Sequence, residues 1–431
     1  MFIKFSIGFV LILLLAGNAG RAQDFRKDTL QLDLPHAERL FLDSNFLLLA
    51  QKYNIDAQKA LIIQARLWPN PNLAVGRGPF IPIYDPNSQY PHSNFFHNAE
   101  SDATLSQLIL LAGKRNKNIK LAEAGTKLAE YQFVDLLRTL KYTLRSDFFN
   151  IYYLQQSAKV YAAEIHALQQ ITDAFAQQQG KGYIAETEVV RIRAQLYSFI
   201  SEYNDLINQI RGVQSELRLV LQVKPTVYID PAPDSISIRS LDPSRYPLST
   251  LLDSAYHNRT DLLIARENTA INKLNYNLQK ALAVPDLTAS VSWDRQGSYA
   301  INYNGLGLAM DLPMLNRNQG NIKSAKAMIA NTAALEKSTE ATVAENVDNA
   351  LEIAYAQHKL FVSIDPAFTG DFDRLVEQVL INYQKRNIGL LAFLDFYDAY
   401  KQNVLQINSI QYNRVQAFED LNYYTGTNFF N

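Results

Sequence analysis

Thr126–Gln179 reads TKLAEYQFVDLLRTLKYTLRSDFFNIYYLQQSAKVYAAEIHALQQITDAFAQQQ, without a single Gly or Pro. Its apolar residues recur three and four apart, at Leu137, Leu140, Leu144, Phe148, Ile151, Leu154, Ala158, Tyr161, Ile165, Leu168 and Phe175. That spacing is the signature of a helix with one apolar stripe. At 1.5 Å per residue this arm alone spans roughly 80 Å, far beyond the three or four turns of an ordinary globular helix. After Gly180-Lys181-Gly182 the same period resumes at Val189, Ile192, Leu196, Ile200, Tyr203, Ile207, Ile210, Val213 and Leu217. Residues 116–221 therefore read as one very long antiparallel helical hairpin.

The N-terminus has the layout of an export signal over residues 1–22. Lys4 supplies the positive charge, Phe5 to Ala16 is mostly apolar, and Gly20-Arg21-Ala22 makes a small-residue cleavage site before Gln23. An uncleaved N-terminal anchor is the alternative. No other segment is long and apolar enough for a transmembrane helix, so a membrane-crossing chain would have to cross as strands. Cysteine is absent, which excludes disulfides, thiol catalysis and thiolate metal sites. Lys and Arg number 41 against 42 Asp and Glu, a balance that gives no reason to expect nucleic acid as a partner.

Outside the hairpin the chain repeats itself. A helix from Leu34 ends near Pro69-Asn70-Pro71. Strands over about 72–84 and 101–111 follow, separated by a loop rich in Pro, Asn and aromatic residues, and the hairpin comes next. Residues 225–247 form a proline-containing linker. From 248 to 431 the order recurs: a helix over 248–282, strands over about 286–296 and 300–312, and a second hairpin over 321–425. Leu287, Ala289, Val291 and Trp293 alternate with Thr288, Ser290, Ser292 and Asp294, the period of a strand with one apolar face. The next strand changes phase between Tyr303 and Leu306, which a bulge near Asn304-Gly305 would produce. Ile388–Leu394 lines up with Ile184–Val190 at an offset of about 204. The mature chain is thus two copies of one unit, 23–224 and 248–431.

Strands of about ten residues are long enough to cross a bilayer when tilted, and in lipid only a closed barrel satisfies their backbone. Four strands are too few to enclose a channel, whereas three chains contribute twelve. The expected architecture is mainly α with a membrane β-barrel: a trimeric twelve-stranded barrel continued by a long helical tube.

This order of elements, with its duplication, resembles the TolC-type outer-membrane efflux channels over essentially the whole mature chain. Gly182-Tyr183-Ile184-Ala185-Glu186-Thr187-Glu188-Val189, with Arg193-Ala194-Gln195, is similar to that family's first periplasmic tip. Leu312-Pro313-Met314-Leu315-Asn316-Arg317-Asn318-Gln319-Gly320-Asn321-Ile322 resembles the strand-to-helix junction of its heavy-metal and cation efflux branch. The resemblance implies a homotrimer in the outer membrane, reaching into the periplasm. It also implies docking to a periplasmic adaptor (membrane fusion) protein and an inner-membrane pump of the RND type. The expected function is a passive duct for small molecules or metal ions, surrounded by outer-membrane lipid. An outer-membrane channel for type I protein secretion and a poreless periplasmic coiled-coil scaffold are the alternatives.

Asp395 and Asp398 stand three apart, on one side of the helix after the second turn. The resemblance makes them a ring of carboxylates at the closed pore end, where they would attract cations; two solvated surface acids are the alternative. Glu188 holds the matching place after the first turn, and the resemblance would give it a part in gating. Gly182, Ile184, Ile388 and Gly389 punctuate the two turns, and the resemblance makes these tips the adaptor contact. Lys114, Arg115, Lys117 and Lys120 crowd a helix N-terminus, which disfavours cations. Lys114 and Arg115, with Trp293, are therefore candidates for the membrane boundary. Phe80, Tyr84, Phe95, Phe96, Tyr299 and Tyr303 could join aromatic girdles there. His92 and His97 are weak metal candidates, and no metal site is expected. No phosphate loop, nucleophile elbow or zinc-protease motif occurs, so neither an enzyme nor a cofactor is expected.

Overall fold

The computed structural model describes residues 28–78, 100–234, 240–296, 300–365, 374–376, 378–383 and 385–430. The export signal and the aromatic loop with His92 and His97 lie outside the described residues, as does Tyr299. In chain order the elements are β1 (Thr29–Leu32), α1 (Leu34–Ser44), α2 (Phe46–Arg66), β2 (Asn72–Gly78), β3 (Glu100–Ile109), α3 (Lys114–Gln179) and α4 (Glu186–Leu221). There follow β4 (Tyr228–Pro231), α5 (Leu248–Asn258), α6 (Thr260–Leu282), β5 (Leu287–Gln296), β6 (Ile301–Met310), α7 (Gln319–Val362) and α8 (Leu390–Thr425). Part of 374–383 is also helical.

The 66 residues of α3 make one helix of about 100 Å. It ends where the uninterrupted run ends: Gly180 caps it, and Gly182 takes φ 76°, a conformation that suits a residue without Cβ. α4 returns antiparallel along α3. The duplication is visible in the backbone itself. Left-handed residues recur about 204 positions apart, as Gly113 with Asn318, Gly182 with Arg386, and Gln222 with Gly426.

The strands form one antiparallel sheet in the order β2-β3-β5-β6, so β2 and β6 are its edges. In register, Leu73 and Val75 share a face with Leu105, Ala103, Val291, Leu306 and Leu308. Most of these side chains are exposed, Leu306 at 89% and Val75 at 73%. The opposite face carries Asp102, Thr104, Ser106, Ser290, Ser292 and Asp294. Glycines of neighbouring strands admit these polar groups, since a Cβ on Gly307 would lie 2.6 Å from Ser290 Oγ and one on Gly76 2.1 Å from Asp102 Oδ1.

The expected bulge at Asn304-Gly305 is absent. Asp294 opposes Tyr303, Trp293 opposes Asn304 and Ser292 opposes Gly305 in unbroken register. The change of phase is instead a change of face: Ile301 and Tyr303 sit on the side of Asp294, and Leu306, Leu308 and Met310 on the other.

The helices prolong the sheet in the same order. α2 leads into β2, β3 into α3, α6 into β5 and β6 into α7, and α2, α3, α6 and α7 pack side by side as a single layer. Farther along, α4 flanks α3 while α8 packs against both α3 and α7. A second, smaller layer lies against the middle of this wall. There β1 pairs in parallel with β4, a strand within the segment read from sequence as a linker. Gln214, 1% exposed, holds that strand by exchanging hydrogen bonds with the backbone of Ile229. α1 buries Ala37 and Phe41 against Leu144, Phe148 and Leu217, while α5 buries Leu251 and Ala255 against Val343, Val347 and Phe418. Asn45 joins α1 to the wall: its Oδ1 accepts from the amides of Leu47 and Leu48, and its Nδ2 donates to Val220 O at 2.9 Å.

Candidate pore and docking surfaces

The two helical turns meet at one end of the wall. Ala185 and Gly389 are extended residues preceding α4 and α8, and neither supplies a side-chain cap. Between the turns is a cleft of 620 Å³ lined by residues of both, including Phe175, Gln178, Tyr183, Ile184, Glu188, Tyr383, Arg386, Ile388 and Gly389. The structure therefore gathers Ile184, Glu188, Ile388 and Gly389 around one cavity, while Gly182 forms the adjoining bend. Beneath it lies an aromatic stack, Tyr383 on Phe393 with centroids 4.3 Å apart and Phe393 on Tyr397 at 4.4 Å. Arg386 Nη2 donates to Gln178 Oε1 at 3.1 Å and so ties the second turn to the first hairpin.

Tyr383 and Arg386 are not among the residues singled out from the sequence; Tyr383 precedes the second turn and Arg386 lies within it. Burial raises the Tyr383 phenol, and the Glu188 charge raises it further, so the carboxylate acts on that ring. The positional signal was available: Arg386 is the counterpart of Gly182 at the repeat offset.

Deeper in, Asp398 is one arm of an ionic lock. Lys401 Nζ lies 3.0 Å from Asp398 Oδ1 and 2.8 Å from Glu202 Oε2. Its ammonium sits 4.1 Å from the centre of the Phe199 ring, and the side chain is only 6% exposed. Tyr161 OH donates to Glu202 at 2.9 Å, and Gln402 Nε2 donates to Asp398 at 2.8 Å. Burial alone would raise the Glu202 carboxyl, but hydrogen bonds from Lys401 and Tyr161 outweigh it and hold the group below its ordinary value. Asp395 stays outside this lock and is exposed. The two aspartates thus occupy different environments: Asp398 is charge-compensated within its own chain, and Asp395 makes no ion pair among the described residues.

One turn from Tyr161, Glu164 is 4% exposed and its Oε2 has no hydrogen-bond partner among the described residues. Burial pushes its carboxyl up to about 8, against a smaller downward pull from Lys401. In the sequence it stands beside Ile165 of the apolar stripe, at the edge of the face that Tyr161 and Leu168 share.

At the sheet end, Lys114 is buried. Its Nζ lies 2.6 Å from Asp286 Oδ1 and donates to Val284 O, while Asp286 also accepts from the Leu111 amide. Lys114 therefore clamps the start of α3 to the start of β5, joining the two repeats. Arg115 donates to Arg66 O and stacks 4.7 Å from the centre of the Trp68 ring. Trp293 lies on the apolar sheet face, 39% exposed. The described residues contain no helix long and apolar enough to cross a membrane. They also contain no group of three His, Cys, Asp or Glu side chains placed to hold a metal ion.

No protein-family model matches the chain. The cobalt-zinc-cadmium resistance protein CzcC of Cupriavidus metallidurans is 24% identical over 297 residues, which are 68% of this chain and 66% of that protein. Among solved structures, the CmeC outer membrane channel of Campylobacter jejuni superposes with a TM-score of 0.73 at 16% identity, covering 92% of this chain and 86% of that one. A membrane protein of Pseudomonas aeruginosa gives a TM-score of 0.74 at 15% identity, covering 94% of each chain. The resemblance read from the sequence is thus borne out in three dimensions: the chain has the fold of these outer-membrane channels.

Proposed function

We propose that the protein is the outer-membrane channel of a tripartite efflux system, a passive homotrimeric duct. One observation carries this reading. A four-stranded sheet with a largely exposed apolar face and two edge strands continues, strand by strand, into a single-layer wall of helices. An isolated sheet of this kind exposes both edges and a greasy face to water, which soluble proteins avoid. Joining β6 of one copy to β2 of the next removes every edge, and three copies make a twelve-stranded barrel whose polar face lines the lumen. The same operation closes the helices into a tube. A poreless scaffold would have no use for the exposed sheet face.

The cleft between the tips, with Gly182, Ile184, Ile388 and Gly389, is the surface for a periplasmic adaptor, and Glu188 with Tyr383 and Arg386 holds it closed. Asp395 and Asp398 form the acidic constriction. Lys114, Arg115 and Trp293 mark the membrane boundary, where the two lysine and arginine side chains also brace the junction. The protein performs no catalytic step; an inner-membrane pump, of RND type, drives transport. The similarity to a cobalt-zinc-cadmium resistance protein favours divalent metal ions as cargo over proteins of a type I secretion route.

Fractionation combined with planar-bilayer recording tests the reading. The protein should resist carbonate extraction from membranes and give conductance that divalent cations block from the helical side. Release by carbonate, or insertion without conductance, would refute it.

A further inference from the structure

Just below the sheet, a groove of 520 Å³ runs between the start of α3 and the end of α6. Three lysines line it, Lys117, Lys120 and Lys280, together with Asn116 and Asn277, and no carboxylate does. Leu274, Ala281 and Val284 provide an apolar floor. The neighbouring cations are already engaged, Lys114 by Asp286 and Arg115 by Arg66 O. Within the groove Lys117 donates one bond, to Ala112 O, and Lys280 lies 5.4 Å from the centre of the Tyr276 ring. Three positive charges thus share a small cavity without a counter-charge among the lining residues.

The groove opens on the outer side of the wall. Asn116, Lys120, Lys127, Arg138 and Arg145 follow one another at helical spacings that keep them on one face of α3. Arg145 on that face bonds Glu38 of α1 at 2.8 Å. In a closed tube with an open lumen, α1 can only lie outside, so the lysines do too. The level is that of the membrane boundary: α3 starts at Lys114, soon after β3 ends at Ile109, and α6 ends at Leu282, just before β5 starts at Leu287. Leu282, Leu312, Met314 and Leu315 are exposed around the same junction, Leu315 at 93%.

We infer that this groove binds the phosphate headgroup of an anionic phospholipid from the periplasmic leaflet. The inference rests on the outer-membrane reading above. The lysines and asparagines meet the phosphodiester, and the floor of Leu274, Ala281 and Val284 receives the glycerol and the first methylenes. A headgroup without an ammonium, such as phosphatidylglycerol, is selected, because a choline or ethanolamine would bring a cation to uncompensated lysines.

The test is native mass spectrometry of the detergent-purified trimer titrated with phosphatidylglycerol or phosphatidylcholine. Wild type should retain phosphatidylglycerol preferentially, and millimolar inorganic phosphate should not displace it. A lysine at an anionic surface contributes about a fivefold factor, so Lys120→Gln with Lys280→Gln should lower retention about 25-fold. That pair leaves the Lys117 bond to Ala112 in place. Lys323→Gln with Lys326→Gln, two exposed lysines of α7 outside the groove, makes the same charge change and should retain the lipid as wild type does. An equal loss in both pairs, equal binding of the two lipids, or displacement by phosphate would overturn the lipid site. Carbonate extraction of wild type separates the two readings: a protein that washes off the membrane refutes the channel itself, whereas a resistant one without lipid preference refutes only the groove.

Discussion

Replacing Lys401 by Met asks whether Asp398 faces the conduction path. Methionine keeps the long apolar stem among Tyr161 and Phe199 and deletes only the ammonium. The lysine side chain is 6% exposed, but its partners Glu202 and Asp398 are 38% and 39% exposed, so both can rehydrate. The loss then falls between that of a surface pair and that of a fully buried one, about 2 kcal/mol per protomer. Removing the cation 4.1 Å from the Phe199 ring centre adds about 1 kcal/mol. Thermal or denaturant unfolding in detergent should show this loss.

The functional consequence has the opposite sign. Without Lys401, each protomer presents an uncompensated Asp398, and in the proposed trimer three-fold closure would bring these charges around one axis. A unit charge at about 4 Å is worth roughly 1 kcal/mol even in water. Half-block of the conductance by a trivalent cation should therefore occur at a concentration lower by about fivefold or more in Lys401→Met. Asp395→Asn should weaken block more than Asp398→Asn, because in wild type Lys401 already masks Asp398 and leaves Asp395 uncompensated. If Lys401→Met loses stability but its block is unchanged, the lock is real and Asp398 lies away from the pore.

Two further outcomes follow from buried charges on α3. Burial lifts Glu164 from 4.5 to about 8, so its contribution to stability is complete below the unfolded value and disappears as pH rises through about 8. Glu164→Gln should match wild type below the unfolded value and exceed it increasingly as pH rises, by on the order of 5 kcal/mol in alkali, read from unfolding midpoints across pH; a pH-independent difference would contradict the assignment. Arg145 is 12% exposed and bonds Glu419 at 2.6 Å and Glu38 at 2.8 Å; Glu38 keeps Lys141 at 3.1 Å, so Arg145→Met should cost about 3 kcal/mol in the same assay by stranding Glu419, and a loss below about 1 kcal/mol would show that water reaches it.

Much of this fold is legible in the sequence because its signals are long and repeated. A run of 66 helical residues leaves no rival reading, and a strand such as Leu287–Gln296 alternates cleanly because its two faces meet different media. What escaped was set by contacts between segments far apart in the chain. β4 is short and lies within a proline-rich stretch, and its place depends on Gln214, whose role shows only when Ile229 is beside it. Lys114 reads as a surface cation until Asp286 is brought against it across the repeats. The missing bulge has a similar cause: apolar residues on both faces of β6 imitate a register slip, and only the partner strand distinguishes the two.

The duplication also explains where chemistry is found. The two copies share a backbone, so side chains with a special task are those in which the copies differ. At the turns, Gly182 and its counterpart Arg386 adopt the same left-handed conformation, with φ 76° and 61°. Glycine takes it freely, whereas an arginine there costs about 1 kcal/mol, a strain that the bond from its guanidinium to Gln178 helps to offset. Around the two aspartates of the second hairpin, the repeat offset sets Asp395, Asp398 and Lys401 against Arg191, Ala194 and Tyr197. Only the second hairpin carries the acids and the lysine that masks one of them. In the trimer proposed above, six pseudo-equivalent hairpins would alternate three acidic staves with three that carry an arginine at the same level. A ring of that composition would be drawn together by charge between neighbouring hairpins, whereas six identical acidic staves would repel one another.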